Sequence, residues 1–292
     1  MTREAAAWTF VAPALAALGL FFALPVAAAL VLSFTDFDIY ALADLGNLRF
    51  VGLDNYLTLL RTPLFWKALG NTTEFVVLGV PLSIALSLGA ALLVNARAAR
   101  FRAFFRTVYF APVVTTLVAV ALIWRYLFHA QYGLIDWGLG LLGIAPIDWL
   151  GDPDWAMPAI VLFAVWKNFG YNMIILLAGL QTIPDELYEA ARIDGAGALA
   201  QLRHVTLPAL APVLLVVSIL TMAGYFQLFA EPYVMTQGGP VQSTTSILYL
   251  MVDQGFKFWN LGQASAIAFV LFAILFVLTL AQFALVRRWS RA

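Results

Sequence analysis

Seven consecutive residues, "WKNFGYN" at 166–172, hold the chain's densest hydrogen-bonding chemistry inside an otherwise apolar run. Lys167 supplies three donors, Asn168 and Asn172 supply amides, and Tyr171 places a hydroxyl on an aromatic ring. Trp166 stands beside them, and a second set follows at Tyr225, Gln227 and Glu231. Donors and acceptors next to aromatic faces suit a polyhydroxylated molecule, which needs hydrogen bonds to its hydroxyls and a flat surface for its C–H faces. The same groups also suit a plainer role, because polar contacts between helices are routine glue in membranes. At the level of sequence both readings stand.

Catalytic chemistry finds little support. Cysteine is absent, and the two histidines, His129 and His204, flank different apolar runs on what the topology below makes opposite faces. No His/Asp/Glu group has the spacing of metal ligands, and no Walker A glycine loop is present to hold ATP. No catalytic residue, metal or cofactor is therefore expected. The 16 basic and 16 acidic residues cancel, which removes the global field that would attract nucleic acid.

The elements that position these residues follow from composition. Hydrophobic residues make up 63% of the chain and charged ones 11%, against about 45–50% and about 25% in soluble domains. With a mean hydropathy of +0.91, the chain is an integral membrane protein. A bilayer-crossing helix needs about 20 apolar residues. Six stretches qualify, at 5–34, 75–96, 107–124, 155–184, 205–230 and 258–286. Prolines at 13, 25, 81, 112, 158 and 212 are tolerable there, since neighbouring helices re-satisfy freed backbone groups. The first stretch imitates a signal peptide at Ala27 and Ala29, but its apolar run exceeds the usual length of about 7–15 residues, so an uncleaved helix is expected. Lys167, some twelve residues into the fourth run, sits near mid-depth, where a charge is costly and turns toward protein or a watery cavity.

Six spans put both termini on one side. Ten Lys/Arg residues lie on that side, among them Arg97, Arg192, Arg203 and Arg291, against four in the opposite loops. The positive-inside rule then makes both termini cytoplasmic. The loop with Asp136, Asp148, Asp152 and Asp154 faces out.

On the cytoplasmic side "EAARIDGAGALAQLRHVTLP" (189–208) joins the fourth and fifth runs, with charges crowded into a short connection. Pro184 suits a first helical position, where its missing N–H costs nothing, and Asp185 and Glu186 then lie in the first turn, where the dipole favours anions. Leu187, Ala190 and Ala191 share one face, and Gly195 is placed to end the helix in a left-handed conformation. A second short piece at about 199–205 leads into Pro208. Two small alanines on a face allow another surface to approach closely; alternatively the helix rests on lipid headgroups.

Glu189-Ala190-Ala191, three residues, Gly195, nine residues, Val205, one residue, then Leu207-Pro208 resembles the EAA loop of binding-protein-dependent ABC importer permeases. Val205 departs conservatively from the more usual isoleucine. Further stretches resemble the carbohydrate permeases of the maltose and glycerol-phosphate class: "FVGLDNYLTLL" (50–60), "FWKALGNTTEF" (65–75), "FFRTVYFAPVV" (104–114), "LAGLQTIPDELYEAARIDGA" (177–196) and "YVMTQGGPVQSTTSILYLM" (233–251). The resemblance covers nearly the whole chain in order. It implies an all-α integral membrane protein of the type I ABC importer transmembrane fold, in a bacterial inner membrane. It also implies a second homologous permease, a dimer of ATP-binding subunits, an extracytoplasmic solute-binding protein and a sugar substrate. Glu189, Ala190, Ala191, Gly195, Leu207 and Pro208 would then couple the chain to the ATPase, with the coupling loop at 182–206. Lys167, Asn168, Tyr171, Asn172 and Gln227 would line or border the substrate path. The outer turn at Gly238, Gly239 and Pro240 would belong to the surface that meets the binding protein.

The expected organisation is a first helix and outer loop at 1–70, a five-helix core at 71–286 and a short tail at 287–292. Glycerol phosphate or a polyol is the alternative substrate. An ion-coupled secondary transporter is the rival class, but it calls for acids at mid-membrane, and Glu74 and Glu231 are read at the ends of runs.

Overall fold

The computed structural model describes residues 3–96 and 100–289; Arg97, Arg291 and the end of the expected tail lie outside them. Helices follow one another as α1 (Arg3–Leu18), α2 (Leu24–Leu32), α3 (Ile39–Ala43), α4 (Asp54–Arg61), α5 (Pro63–Asn95), α6 (Arg102–Val114) and α7 (Leu117–Leu127). Then come α8 (Leu134–Gly140), α9 (Pro153–Leu180), α10 (Asp185–Ile193), α11 (Ala198–Gln201) and α12 (Leu207–Phe226). The chain closes with α13 (Ala230–Met235), α14 (Ile247–Val252) and α15 (Leu261–Trp289). Among the described residues the only β pairing is a bridge between Thr35 and Phe50.

Among the described residues five helices are long and apolar enough to cross a bilayer: Trp8–Leu32, Pro63–Asn95, Pro153–Leu180, Ala198–Phe226 and Leu261–Ala284. A sixth span exists only if α6 and α7 count together, because their axes bend by 99° at the break. The third span, expected at 107–124, is thus present as a broken pair of helices. Pro112 withholds an N–H from the last turn of α6, and Thr115 and Thr116 are extended, with ψ of 150° and 130°.

The chain divides into two compact units, Met1–Trp66 with Leu250–Ala273, and Lys67–Tyr249 with Ile274–Ala292. In the first, Asn55 closes the end of α2 by donating to Ser33 O (2.9 Å) and Thr35 O (2.8 Å). Tyr56 adds a bond to the Ser33 hydroxyl at 2.7 Å.

The second unit is built around α9, whose buried face includes Met173, Leu176, Leu177 and Leu180. These pack with Ala91 and Val94 of α5 and with Leu210 and Val217 of α12. In a membrane such contacts stabilise through close packing rather than by removal of water, so small residues at the seam matter. Gly170 is one: a Cβ there would collide with the Tyr109 carbonyl oxygen, so its absence lets the α6 backbone lie directly on α9.

Outside the spans, the acids of the 134–154 segment serve local structure. Buried Asp136 accepts from Trp149 Nε1 at 3.0 Å, and Asp152 caps α9 through Asp154 N at 2.8 Å. The 236–245 turn has Gly238 at φ +80 and a cis Gly239–Pro240 bond. It is fastened to α5 by Asn71 Nδ2, which donates to Gln242 O (2.8 Å) and Thr245 O (2.9 Å).

Candidate functional site

The polar cluster of α9 meets α12 across a cleft of about 290 Å³. Asn168, Tyr171 and Asn172 line it from α9, and Gln227 lines it from just beyond the end of α12. Phe75, Val113, Thr221, Tyr225 and Glu231 complete the part of the wall that carries its chemistry. The cleft therefore brings together four of the five residues expected on a substrate path, and it also gathers the second polar set.

Their roles differ. Asn172 is 4% exposed and donates to Thr221 Oγ1 at 2.9 Å and Ser83 Oγ at 3.4 Å, so it ties α9 to both α12 and α5. That geometry belongs to helix packing as much as to ligand contact. Asn168 is half-buried, and Tyr171 and Gln227 are exposed to the space. Gln227 holds itself back on Ala223 O at 3.1 Å, a contact easily exchanged. The Tyr225 ring stacks on Phe75 with centroids 4.9 Å apart, and its hydroxyl is buried beside Ser83 and Asn168.

Lys167 is placed otherwise. Only 6% exposed and not part of the cleft lining, it sets its ammonium on the break between α6 and α7, within electrostatic reach of Glu231. It donates to Pro112 O (2.7 Å), Thr115 O (3.0 Å) and Val113 O (3.4 Å). Glu231, read from sequence at the end of a run and in the second polar set, is the one charged residue in the cleft lining. Phe75, Val113 and Thr221 escaped sequence reading altogether; an apolar or hydroxyl residue in an apolar run carries no mark of the cavity it faces.

The second candidate site is the loop around α10. The helix begins at Asp185 after Pro184, whose ψ of 136° is extended, so Pro184 is the cap rather than the first helical residue. Arg192 and Glu189 approach to 3.8 Å within the helix. Gly195 has φ +76 and ends it, with Ala196 N donating back to Ala191 O at 2.8 Å. This six-to-one closure is the left-handed helix ending that glycine permits. Leu187, Ala190 and Ile193 lie exposed, Ile193 at 86%. Tyr188 points the other way, its hydroxyl 3.0 Å from Thr206 Oγ1.

The second helical piece expected at about 199–205 leads directly into the fifth span. The helix runs without interruption from Ala198 into the fifth span, through a π-helical turn at Leu202–Thr206. Within that turn Leu207 N–H reaches back five residues to Leu202 O, which accommodates Pro208 just after it.

The chain belongs to the family of binding-protein-dependent transport system inner membrane components, whose model matches residues 79–291. It is a multi-pass membrane permease subunit, with a role in transport rather than catalysis. It is 37% identical over 281 residues to the lactose transport system permease protein LacF of Rhizobium radiobacter, covering 94% of this chain and 92% of that one. It is 36% identical to the sulfoquinovosyl glycerol transport system permease protein SmoG of Agrobacterium fabrum, covering 94% and 88%. With the trehalose/maltose transport system permease protein MalF of Thermococcus litoralis it shares 39% identity, over 79% and 78%. In fold it is similar to a chain of a bacterial ABC transporter involved in import of the acidic polysaccharide alginate. That match has a TM-score of 0.80 and 21% identity and covers 98% and 96% of the two chains.

Proposed function

We propose that this chain is one of two homologous permease halves of an ATP-driven importer, and that its cargo is an uncharged saccharide. The observation that carries the substrate class is the lining of the cleft. It offers amides from Asn168 and Gln227, a hydroxyl from Tyr171, and an aromatic face from the Phe75–Tyr225 stack. Hydroxyl groups can exchange bonds with all of these. A phosphate or sulfonate would need a cationic partner. No Lys or Arg lines the cleft, and its one charged residue is Glu231. The similarity to permeases named for lactose and for trehalose/maltose supports a saccharide in general.

In this reading both termini are cytoplasmic, a solute-binding protein delivers the saccharide from the other side, and the loop at 182–206 docks into a separate ATPase dimer. Support for the docking comes from the exposed face of α10, with Leu187, Ala190 and Ile193 uncovered on a segment that ends at the left-handed Gly195. A solvated surface helix gains nothing from exposing them; a cleft on a partner would. Asn168→Ala and Gln227→Ala in the assembled transporter test the cleft. Uptake should show a raised KM at normal membrane abundance, and neutral saccharides should compete where sugar phosphates do not. Unchanged KM in both variants would remove the cleft from the substrate path.

A further inference from the structure

The bend between α6 and α7 creates an electrostatic problem that one residue solves. A helix end leaves carbonyls without intrahelical partners, and inside a bilayer no water is at hand to satisfy them. At this end the carbonyls of Pro112, Val113 and Thr115 converge, and Thr115 Oγ1 reaches only the first of them, at 2.6 Å. Lys167 has three N–H donors and finds all three oxygens, at 2.7, 3.4 and 3.0 Å. Its positive charge also sits at the C-terminal end of α6, where the helix dipole favours a cation. One turn further along α9, bare Gly170 lets α6 approach closely enough for the ammonium to reach.

The consequence reaches the cleft. Val113 accepts from Lys167 through its carbonyl and also lines the cleft, while Asn168, the next residue after Lys167, lines the same space. Adjacent residues of α9 therefore divide the work: one touches the cleft, and the other fixes its opposite wall. We propose that Lys167 is a positioning residue, whose ammonium holds the broken third span at its bend and so places Val113 in the substrate cleft, without itself contacting substrate. The proposal rests on the reading of the cleft as part of the path. What the site requires is a cation with several donors, so Arg should serve where Met or Gln does not.

The native chain has no cysteine, so a single thiol can be introduced cleanly. In the assembled transporter in membrane vesicles, Val113→Cys and Gln227→Cys are each labelled with a hydrophilic methanethiosulfonate. Adding Lys167→Met should change the labelling rate at position 113 by about tenfold, as a shift of about 1.4 kcal/mol in a local equilibrium gives. The rate at position 227 should stay within about twofold on the same scale. Lys167→Arg should keep the rate at 113 near that of the parent and keep uptake KM low, while Lys167→Met and Lys167→Gln raise KM. Lys167→Gln replaces Lys167→Met if the latter does not assemble. Labelling at 113 that ignores the loss of the ammonium, or Lys167→Arg behaving like Lys167→Met in rate or in assembly, would overturn the proposal. Substrate protection separates the two ideas. If saccharide protects neither thiol while the labelling still depends on Lys167, the cleft reading fails and the positioning of Val113 stands.

Discussion

Gly170 of α9 faces the carbonyl of Tyr109 of α6 so closely that no side chain fits between them. This contact sets how near the third span lies to the fourth, and hence whether Lys167 can reach the break. Gly170→Ala should cost about 1–3 kcal/mol, the range for forcing volume into a packed seam. Thermal unfolding of the purified assembly checks it. An unshifted midpoint would mean that the two backbones separate at no cost.

Asn172 and Asn168 should part company. Asn172→Ala removes the link to Thr221 and Ser83 and should destabilise the assembly by about 0.6–1.7 kcal/mol, as measured for hydrogen bonds between membrane helices. Asn168→Ala should leave stability alone and act on uptake. Unfolding midpoints beside uptake KM for the two variants separate packing from ligand contact.

At Gly195 the backbone itself is the constraint. Its φ of +76 costs a residue with a Cβ about 1–2 kcal/mol, less for asparagine, and nothing lies within 4 Å of the position a Cβ would take. Gly195→Val should therefore be worse than Gly195→Asn, with both inserted normally in the membrane. Gly195→Asp adds a charge that a docked cleft would have to desolvate, and should lose ATPase recruitment as well as uptake. Co-purification of the ATPase with each variant checks the order; failed uptake with recruitment and substrate-stimulated hydrolysis intact would contradict the coupling role.

Tyr188 ties α10 to the foot of the fifth span through Thr206. Tyr188→Phe deletes that bond, worth about 0.5–1.5 kcal/mol. ATPase binding should survive while substrate stimulation of hydrolysis falls. Equal loss of binding and stimulation would place Tyr188 in docking rather than in transmission.

The apolar runs were legible because a bilayer demands length and composition, and both are written in the chain. The break at Thr115–Thr116 was not, since Pro112 alone does not forbid a continuous membrane helix. Nor was the partner of Lys167: backbone carbonyls leave no trace in sequence, so a buried lysine reads equally as ligand contact or as structure. Asn168, Tyr171, Asn172 and Gln227 could be grouped from polarity in an apolar context. Phe75 and Val113 could not, because an aromatic or aliphatic side chain facing a cleft looks the same as one facing lipid. Gly195 was readable as a helix end because positive φ selects glycine. The π-helical turn at Leu202–Thr206 was not, because such turns have no clear residue signature.

The central claim is that this chain carries saccharide by coupling to ATP hydrolysis on another subunit. Its most direct test is uptake of a labelled neutral saccharide into proteoliposomes holding the full assembly, with binding protein outside the membrane face it serves. Uptake should require ATP on the coupling-loop side and stop with vanadate, and it should be indifferent to collapse of proton and sodium gradients. Uptake that persists without the ATPase subunits and follows an ion gradient would contradict the account.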